Sequence, residues 1–412
     1  MASGLLEIDE ARRLVLGAVT PSQPEPVALD AALGRVLGED VSAEQPVPAF
    51  DNSAMDGFAV RAQDVAHADG AAPVVLGVID ESRAGAPARA GLEAGQAIAI
   101  STGAMLPPGA DAVVPVEDTS RRDGRVEVRA AAPAGRHVRR AGDDIRAGDT
   151  VLERGTRLGA AELGVLASLG RPSVECAPAP RLSVLVSGDE LAAPGRALPA
   201  GAVHDSNSVT IGALARGDGA EVVRSATVPD DPQATTNALT AAVADVDVAV
   251  ICGGVSVGAH DHIRPSLDAL GARPVFWGLA LRPGHPTWFG TLDTTLVFGL
   301  PGNPVSAMVT FVLLVRPALR ALLGMPASPP RLTAVMDRDY EKPAGRAHAV
   351  RCRITAREDG WHAEPTGPQG SHVLSSMLAA DALALLASDT VAVRAGERVE
   401  IEPLRAWIGA PA

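Results

Sequence analysis

Three short loops carry the side chains best suited to chemistry, and each follows an apolar run. Ser187-Gly188-Asp189-Glu190-Leu191 places a hydroxyl, a glycine and two carboxylates after Leu182–Val186. Gly253-Gly254-Val255-Ser256-Val257-Gly258 follows Val248–Cys252, with Asp261 just beyond. Gly299-Leu300-Pro301-Gly302-Asn303-Pro304 follows Thr295–Phe298, and Asn303 and Pro304 suit the N-cap and first turn of a helix. Glycines let backbone N–H groups approach an anion closely, and a helix amino end adds its dipole. Carboxylates beside such a cradle point to Mg²⁺, a hard cation that shares oxygen ligands with phosphates. Together the loops predict a concave anion site with Mg²⁺ near it. Taken singly, a glycine-rich loop after a strand serves a tight turn as often as a phosphate. Neither GxxxxGK[ST] nor a well-placed GxGxxG occurs, which weakens P-loop and dinucleotide readings. His260-Asp261-His262 has no further histidines at ligand spacing, so a solvated loop outweighs a metal site there. The basic run Arg136-His137-Val138-Arg139-Arg140 reads as a solvated face.

The elements that must hold these loops fall into four zones. Leu5, Ile8, Leu14, Val15 and Val19 form an amphipathic stripe before a Pro-rich break. Short β-like runs at Val74–Ile79, Ala97–Ile100, Ala112–Val116 and Val126–Val128, punctuated by Gly and Pro, predict a small all-β module over 46–144. Helical character returns near Thr150–Leu169, so residues 1–45 and 145–179 are expected to form one discontinuous linker domain. Over 180–327 strands and helices alternate: Leu182–Val186, a helix Ser208–Ala215, Glu221–Ala226, a helix from Pro232 to Ala244, Val248–Cys252, Thr295–Phe298 and a long helix from Pro304. That rhythm predicts a doubly wound, open parallel sheet with ligands beyond the strands' carboxyl ends. Residues 328–412, with strand-like runs at His348–Ile354, Ala382–Leu386 and Val399–Ile401, predict a C-terminal β-barrel or sandwich. The fold class is thus α/β plus β in a multi-domain chain.

At 412 residues the chain exceeds one ordinary core, and 47% apolar with 21% charged residues fits a globular protein. Aromatics at 3% leave the cores to Val, Leu, Ile and Ala. Of 36 basic residues one, Lys342, is lysine. A net charge of −13 argues against nucleic acid as a partner. Cys176, Cys252 and Cys352 suggest neither a disulfide framework nor a zinc site. Met1–Gly17 is too charged for a signal peptide, and Val309–Leu323, broken by Arg316, Pro317 and Arg320, is short for a membrane span. A cytoplasmic protein without membrane contact is expected.

Read together the pieces become specific. Phe50-Asp51-Asn52-Ser53-Ala54-Met55-Asp56-Gly57-Phe58-Ala59 resembles the PxxDxSAMDG(Y/F)A signature of the molybdopterin molybdenumtransferases, the MoeA and gephyrin E-domain family. Ser101-Thr102-Gly103-Ala104, Pro107–Val114, Gly142-Asp143-Asp144-Ile145, the Ser187 loop, the Gly253 loop, Arg282-Pro283-Gly284-His285-Pro286 and Leu300–Ser306 follow in that family's order. The resemblance spans nearly the whole chain. It implies an elongated four-domain homodimer with a molybdopterin-binding-type third domain and active sites at the subunit interface. It also implies a transferase that takes adenylylated molybdopterin and molybdate, cleaves the adenylate with Mg²⁺ and releases AMP and molybdenum cofactor. Contact with a molybdopterin adenylyltransferase is a possible partnership. By position in the motifs, Asp56, Thr102, Asp144, Glu190, Asp230 and Asp261 are the catalytic candidates, with Glu190, Asp230 and Asp261 as metal ligands. Ser187, Gly188, Asp189, Gly253, Gly254, Ser256, Gly258, Arg282, His285, Pro301, Gly302, Asn303, Pro304, Ser306, Arg351 and Ser371 are the substrate-binding candidates. Asp56 and Asp144 also suit turn formers beside Gly57 and Gly142.

The family's basic motif usually reads Lys-Pro-Gly-Lys-Pro, whereas this chain has Arg282 and His285. Arginine differs from lysine in donor geometry, and the charge of histidine depends on its neighbours. An imidazolium at His285 holding the oxyanion is the resulting hypothesis; its mark is a molybdate affinity that falls as pH rises through neutrality. Two other functions stand beside the insertase: a paralogue for tungstate or another activated pterin, and a non-catalytic molybdopterin carrier.

Overall fold

The computed structural model describes residues 4–255, 262–328 and 332–404. Its central body is a six-stranded sheet of β1 (Arg181–Ser187), β2 (Glu221–Val228), β3 (Val248–Cys252), β4 (Arg273–Trp277), β5 (Trp288–Leu292) and β6 (Thr295–Leu300), in the order 2-1-3-6-5-4. Strands β2, β1, β3 and β6 are parallel, and β6, β5 and β4 pair antiparallel. The expected parallel sheet is present and carries an antiparallel edge. Only Asp293 and Thr294 separate β5 from β6, and a link that short makes a hairpin rather than a crossover.

The apolar run of β3 is explained by burial on both faces. Val248, Val250 and Cys252 join one core cluster with Ile211, Ala215 and the helix after Pro304, while Ala249 and Ile251 join another with Leu239, Ile263 and Leu267. The long helix runs as Pro304–Thr310, a π turn Phe311–Val315, and Arg316–Leu322. Pro317 has no N–H for the carbonyl of Leu313, four residues back, and Arg12 Nε donates to that oxygen instead at 2.8 Å. By length and hydropathy this helix could cross a membrane, but 78% of it is buried inside the protein, which makes it a core helix.

The chain around this body is discontinuous. Glu25–Ala28 pairs with Ser173–Cys176, and Val41–Ser42 pairs with Thr150–Leu152, around a core of Val27, Leu37, Leu158, Leu166 and Cys176. The amino-terminal helix Ile8–Leu16 stands apart from that core. Its Ala11 and Val15 pack into the α/β body, because its buried stripe meets the long helix. Between the two linker segments lies a six-stranded module. In spatial order its strands are Ala112–Pro115, Gly57–Val60, Gln96–Ile100, Val74–Ser82, Arg125–Val128 and Thr119–Arg122.

The carboxyl-terminal strands β7 (Leu332–Met336), β8 (Ala347–Arg357), β9 (Gly360–Pro365), β10 (Ala382–Leu386) and β11 (Arg398–Pro403) close a barrel in the order 8-9-7-11-10-8. A two-residue strand, Leu281–Arg282, leaves the α/β body and adds to β8, setting Arg282 opposite His348. The seam shares one core, since Ala347, Ala349, Met377 and Leu383 belong to the α/β cluster. Arg12 bonds Glu402 at 2.9 Å across the same seam, and Arg316 bonds the carbonyls of Pro403 and Leu404.

Candidate active site

The carboxyl ends of β1, β3 and β6 meet backbone to backbone. Gly253 has φ +87°, and a Cβ there would lie 2.7 Å from the Ser187 carbonyl oxygen, so only glycine lets these loops touch. Its N–H donates to Leu300 O at 3.0 Å. The result is a cleft of about 550 Å³ bordered by Ser187, Glu190, Asn207, Cys252, Gly302 and Asn303. Ser187 Oγ donates to Asp230 Oδ1 at 2.8 Å, and the Asp230 N–H donates to Asp189 Oδ1 at 3.0 Å. Asp231 caps the helix Pro232–Val243 through Ala234 N–H at 2.7 Å, which fixes the loop that presents Asp230. Asn303 does occupy the N-cap of the long helix, with Pro304 at its first turn, but its side chain makes no cap bond. The first-turn N–H of Val305 instead meets the Ser371 carbonyl at 3.3 Å, so a barrel loop closes the helix end. Pro301 and Ser306 are buried behind the cleft. Cys252 borders the cleft as a thiol, because burial and then Asp205 raise its pKa and deny it a thiolate role.

A second group sits at the tip of the small β module. Asp56 Oδ1 accepts from Thr102 N–H at 2.7 Å and from its hydroxyl at 3.0 Å, and these bonds, backbone first, hold the exposed carboxylate below its usual pKa. Asp51 accepts from Ala141 N–H at 2.9 Å and from Arg140 at 2.6 Å, which ties down the turn bearing the exposed Asp144. Among the described residues no hydrogen bond, ion pair, strand pairing or shared apolar cluster joins residues 46–144 to residues beyond 180. Within one chain the Asp56 group and the Ser187 cleft are therefore separate.

A third group lies at the seam with the barrel. Arg282 opens into a cleft of about 240 Å³ with Tyr340, His348, Gln369 and Gly370. Arg351 is fully buried beneath it. Arg351 Nε donates to Ser376 Oγ at 2.7 Å, and Nη2 donates to the carbonyls of Pro368 and Gly370 at 3.1 and 3.2 Å, which shapes the loop carrying Ser371. His285 is absent from this cleft: its Nδ1 lies 3.2 Å from Leu279 O and its ring packs edge-on against Trp277.

Of the sequence-derived candidates, Ser256, Gly258 and Asp261 lie outside the described residues. Among the described residues no three His, Cys, Asp or Glu side chains gather as a metal-binding group. Sequence reasoning missed Asn207, whose Nδ2 donates to Gly302 O at 2.7 Å and steadies the cleft floor. Asp205-Ser206-Asn207, three capping residue types before a helix, was the available signal. Tyr340 and His348 were also missed, and no local pattern marks them.

A mixed α/β sheet with a cleft at its strand ends and two β modules beside it is matched by a class of transferases built on a molybdopterin-binding-type domain. The comparisons agree along the chain. Residues 6–170 match the family described as MoeA N-terminal region (domain I and II), residues 183–321 the Probable molybdopterin binding domain, and residues 333–404 the MoeA C-terminal region (domain IV). A molybdopterin molybdenumtransferase of Haemophilus influenzae is 36% identical over 98% of this chain and 100% of its own length. Molybdopterin molybdenumtransferase 2 of Mycobacterium tuberculosis is 37% identical over 96% of this chain and 98% of its own. The crystal structure of a molybdopterin biosynthesis MoeA protein from Pyrococcus horikosii superimposes with a TM-score of 0.86 at 31% identity, covering 98% of this chain and 100% of that one. The chain belongs to the molybdopterin molybdenumtransferase family, enzymes of molybdenum cofactor biosynthesis.

Proposed function

We propose that this enzyme transfers molybdenum from molybdate to the dithiolene of adenylylated molybdopterin, cleaving the adenylate in a Mg²⁺-dependent step that releases AMP. The observation that carries the reading is the cleft at the strand ends lined by Ser187, Glu190 and Gly302, with Ser187 bonded to Asp230 and Asp230 in turn to Asp189. The strand-end loops suit the phosphates, with Gly188, Gly253, Gly254, Gly302 and Asn303 as a wall of small residues that a phosphate can approach closely. Glu190 and Asp230, joined by Asp261, are the proposed Mg²⁺ ligands. Two carboxylates fit that ion, which binds through one or two of them plus substrate phosphates and water. Bound there, Mg²⁺ would neutralise charge on the phosphate being cleaved. Ser187 holds Asp230 in place, and Arg282 anchors the oxyanion at the barrel seam, over the loop shaped by Arg351 and bearing Ser371.

Asp56, Thr102 and Asp144 are proposed to complete the site from a second copy of the chain. Supporting this, exposed apolar side chains border both halves: Phe50, Met55 and Met105 on the small module, and Leu198, Val203 and Val209 by the cleft. A cytoplasmic location suits the three buried free cysteines, and a molybdopterin adenylyltransferase is a suitable donor partner. The test is incubation with adenylylated molybdopterin, Mg²⁺ and either molybdate or tungstate, followed by assay of AMP and metal-loaded cofactor. Both products with molybdate support the reading. Tight pterin binding without AMP would make the chain a carrier, and faster turnover with tungstate would reassign its metal.

A further inference from the structure

We infer that His348 and Tyr340 complete the pocket at the barrel seam, each giving a hydrogen bond to a tetrahedral oxyanion anchored by Arg282. The inference rests on the reading of Arg282 as oxyanion anchor and adds two residues that lie outside the motifs. His348 is cross-strand partner of Arg282 where the α/β body adds its short strand to β8. Both residues line the 240 Å³ cleft together with Tyr340. His348 is only 7% exposed, yet among the described residues neither ring nitrogen has a hydrogen-bond partner; its one ring contact is the edge of Tyr340, at 6.3 Å. The Tyr340 hydroxyl and the Arg282 guanidinium likewise have no protein partner among the described residues. Arg282 is exposed and Tyr340 half-buried, so the three polar groups, none spent on a protein partner among the described residues, face one cleft and are free to pair with a ligand there.

The charge around the cleft selects an anion. Arg282 lines the cleft from the α/β body; near it but outside its lining stand Lys342, whose ammonium donates to the Arg346 carbonyl at 2.9 Å, and Arg351 of β8, whose Nη1 is buried without a partner. Glu341, the acidic side chain at the rim, is engaged by Arg394 at 3.1 Å. Burial, then Arg282 and Lys342, push the His348 pKa down to about 4, so the ring is neutral at neutral pH and gives one N–H without titrating. The histidine of the basic motif, His285, faces its own backbone, and His348 stands where the anion comes. Two sources share the tetrahedral chemistry: free molybdate or tungstate, and the phosphate of the pterin substrate.

Calorimetric titration of the full-length protein with molybdate, tungstate and inorganic phosphate tests the inference. His348→Phe and Tyr340→Phe are each expected to weaken binding by about tenfold, the effect of one hydrogen bond to a charged group, and His348→Gln to restore it to within about threefold. Molybdate affinity should stay level from about pH 6 to about pH 8 because the ring is already neutral. Should His348→Phe unfold, Tyr340→Phe, which removes one oxygen, still decides. Losses seen with phosphate and not with molybdate uphold the pocket and assign it to the substrate's phosphate. Wild-type affinity in both Phe variants, with Arg282→Gln still defective, overturns the inference and leaves the Arg282 reading standing. A decline across that pH range that His348→Gln abolishes also contradicts it. No effect of Arg282→Gln overturns the underlying reading instead.

Discussion

Arg351→Met separates the role of a buried guanidinium from that of a ligand. The side chain has no exposed surface and gives three hydrogen bonds, to Ser376 Oγ, Pro368 O and Gly370 O. At about 1.5 kcal/mol for each bond from a charged donor, removing them costs about 4–5 kcal/mol. Against this stands the release of a buried cation whose Nη1 has no partner, a desolvation that already lowers the Arg351 pKa. Replacing buried charge by an apolar side chain of similar size returns part of that cost, which leaves about 2 kcal/mol of net destabilisation. The loss should fall on the loop 366–376, and on Val305, whose N–H meets the Ser371 carbonyl. Opening free energy reads directly as hydrogen exchange, so amides there should exchange about thirtyfold faster while β3 is unchanged. Arg351→Lys should behave similarly, because one ammonium cannot serve Ser376 and both carbonyls from the position of a planar fork. Unchanged exchange over 366–376 would refute the assignment and leave the loop held by its own backbone.

Three further outcomes follow from specific contacts. Thr102→Val removes one of the bonds that keep the Asp56 pKa low; the carboxylate then protonates at higher pH, and the acid limb of the pH–rate profile should move upward. His362 bonds Asp337 at 2.8 Å and Asp359 at 2.9 Å, and these bonds raise its pKa. Its contribution to barrel stability is therefore complete below the unfolded value near 6.5 and is lost as pH rises through the folded one, a dependence that urea titrations should show and His362→Gln should flatten. Arg12→Met leaves the Leu313 carbonyl without its donor and Glu402 without its cation, and should lower the unfolding free energy by about 1–3 kcal/mol in denaturant titrations.

Much of the α/β body was legible because its signals are local. Val248–Cys252 is a run of five apolar residues, and the observed strand has the same bounds, since burial on both faces demands such a run. The loops after β1, β3 and β6 were legible for the same reason: glycine, carboxylate and capping residues sit beside the strands that position them. What escaped depends on long-range geometry. Gly57–Val60 is a central strand of the small module but only four residues long, and its sequence was absorbed into the Asp56 motif. The amphipathic stripe of Ile8–Leu16 was visible; its target, a helix some three hundred residues later, was not, and neither was the carbonyl that Pro317 leaves for Arg12. His348 looked like any strand residue until the chain laid Arg282 opposite it. His285, conspicuous in its motif, turned toward Leu279 O instead.

The central claim is that molybdenum transfer needs the Ser187 cleft of one copy and the Asp56 group of another. Subunits carrying Asp56→Asn and subunits carrying Asp230→Asn, each inactive alone, can be unfolded and refolded together as a mixture. Random pairing makes half the dimers mixed, each with one site built wholly from native residues, so formation of molybdenum-loaded cofactor should return to about a quarter of the wild-type rate. A mixture as inactive as its parents, with mixed dimers demonstrated by mass, would contradict the shared site.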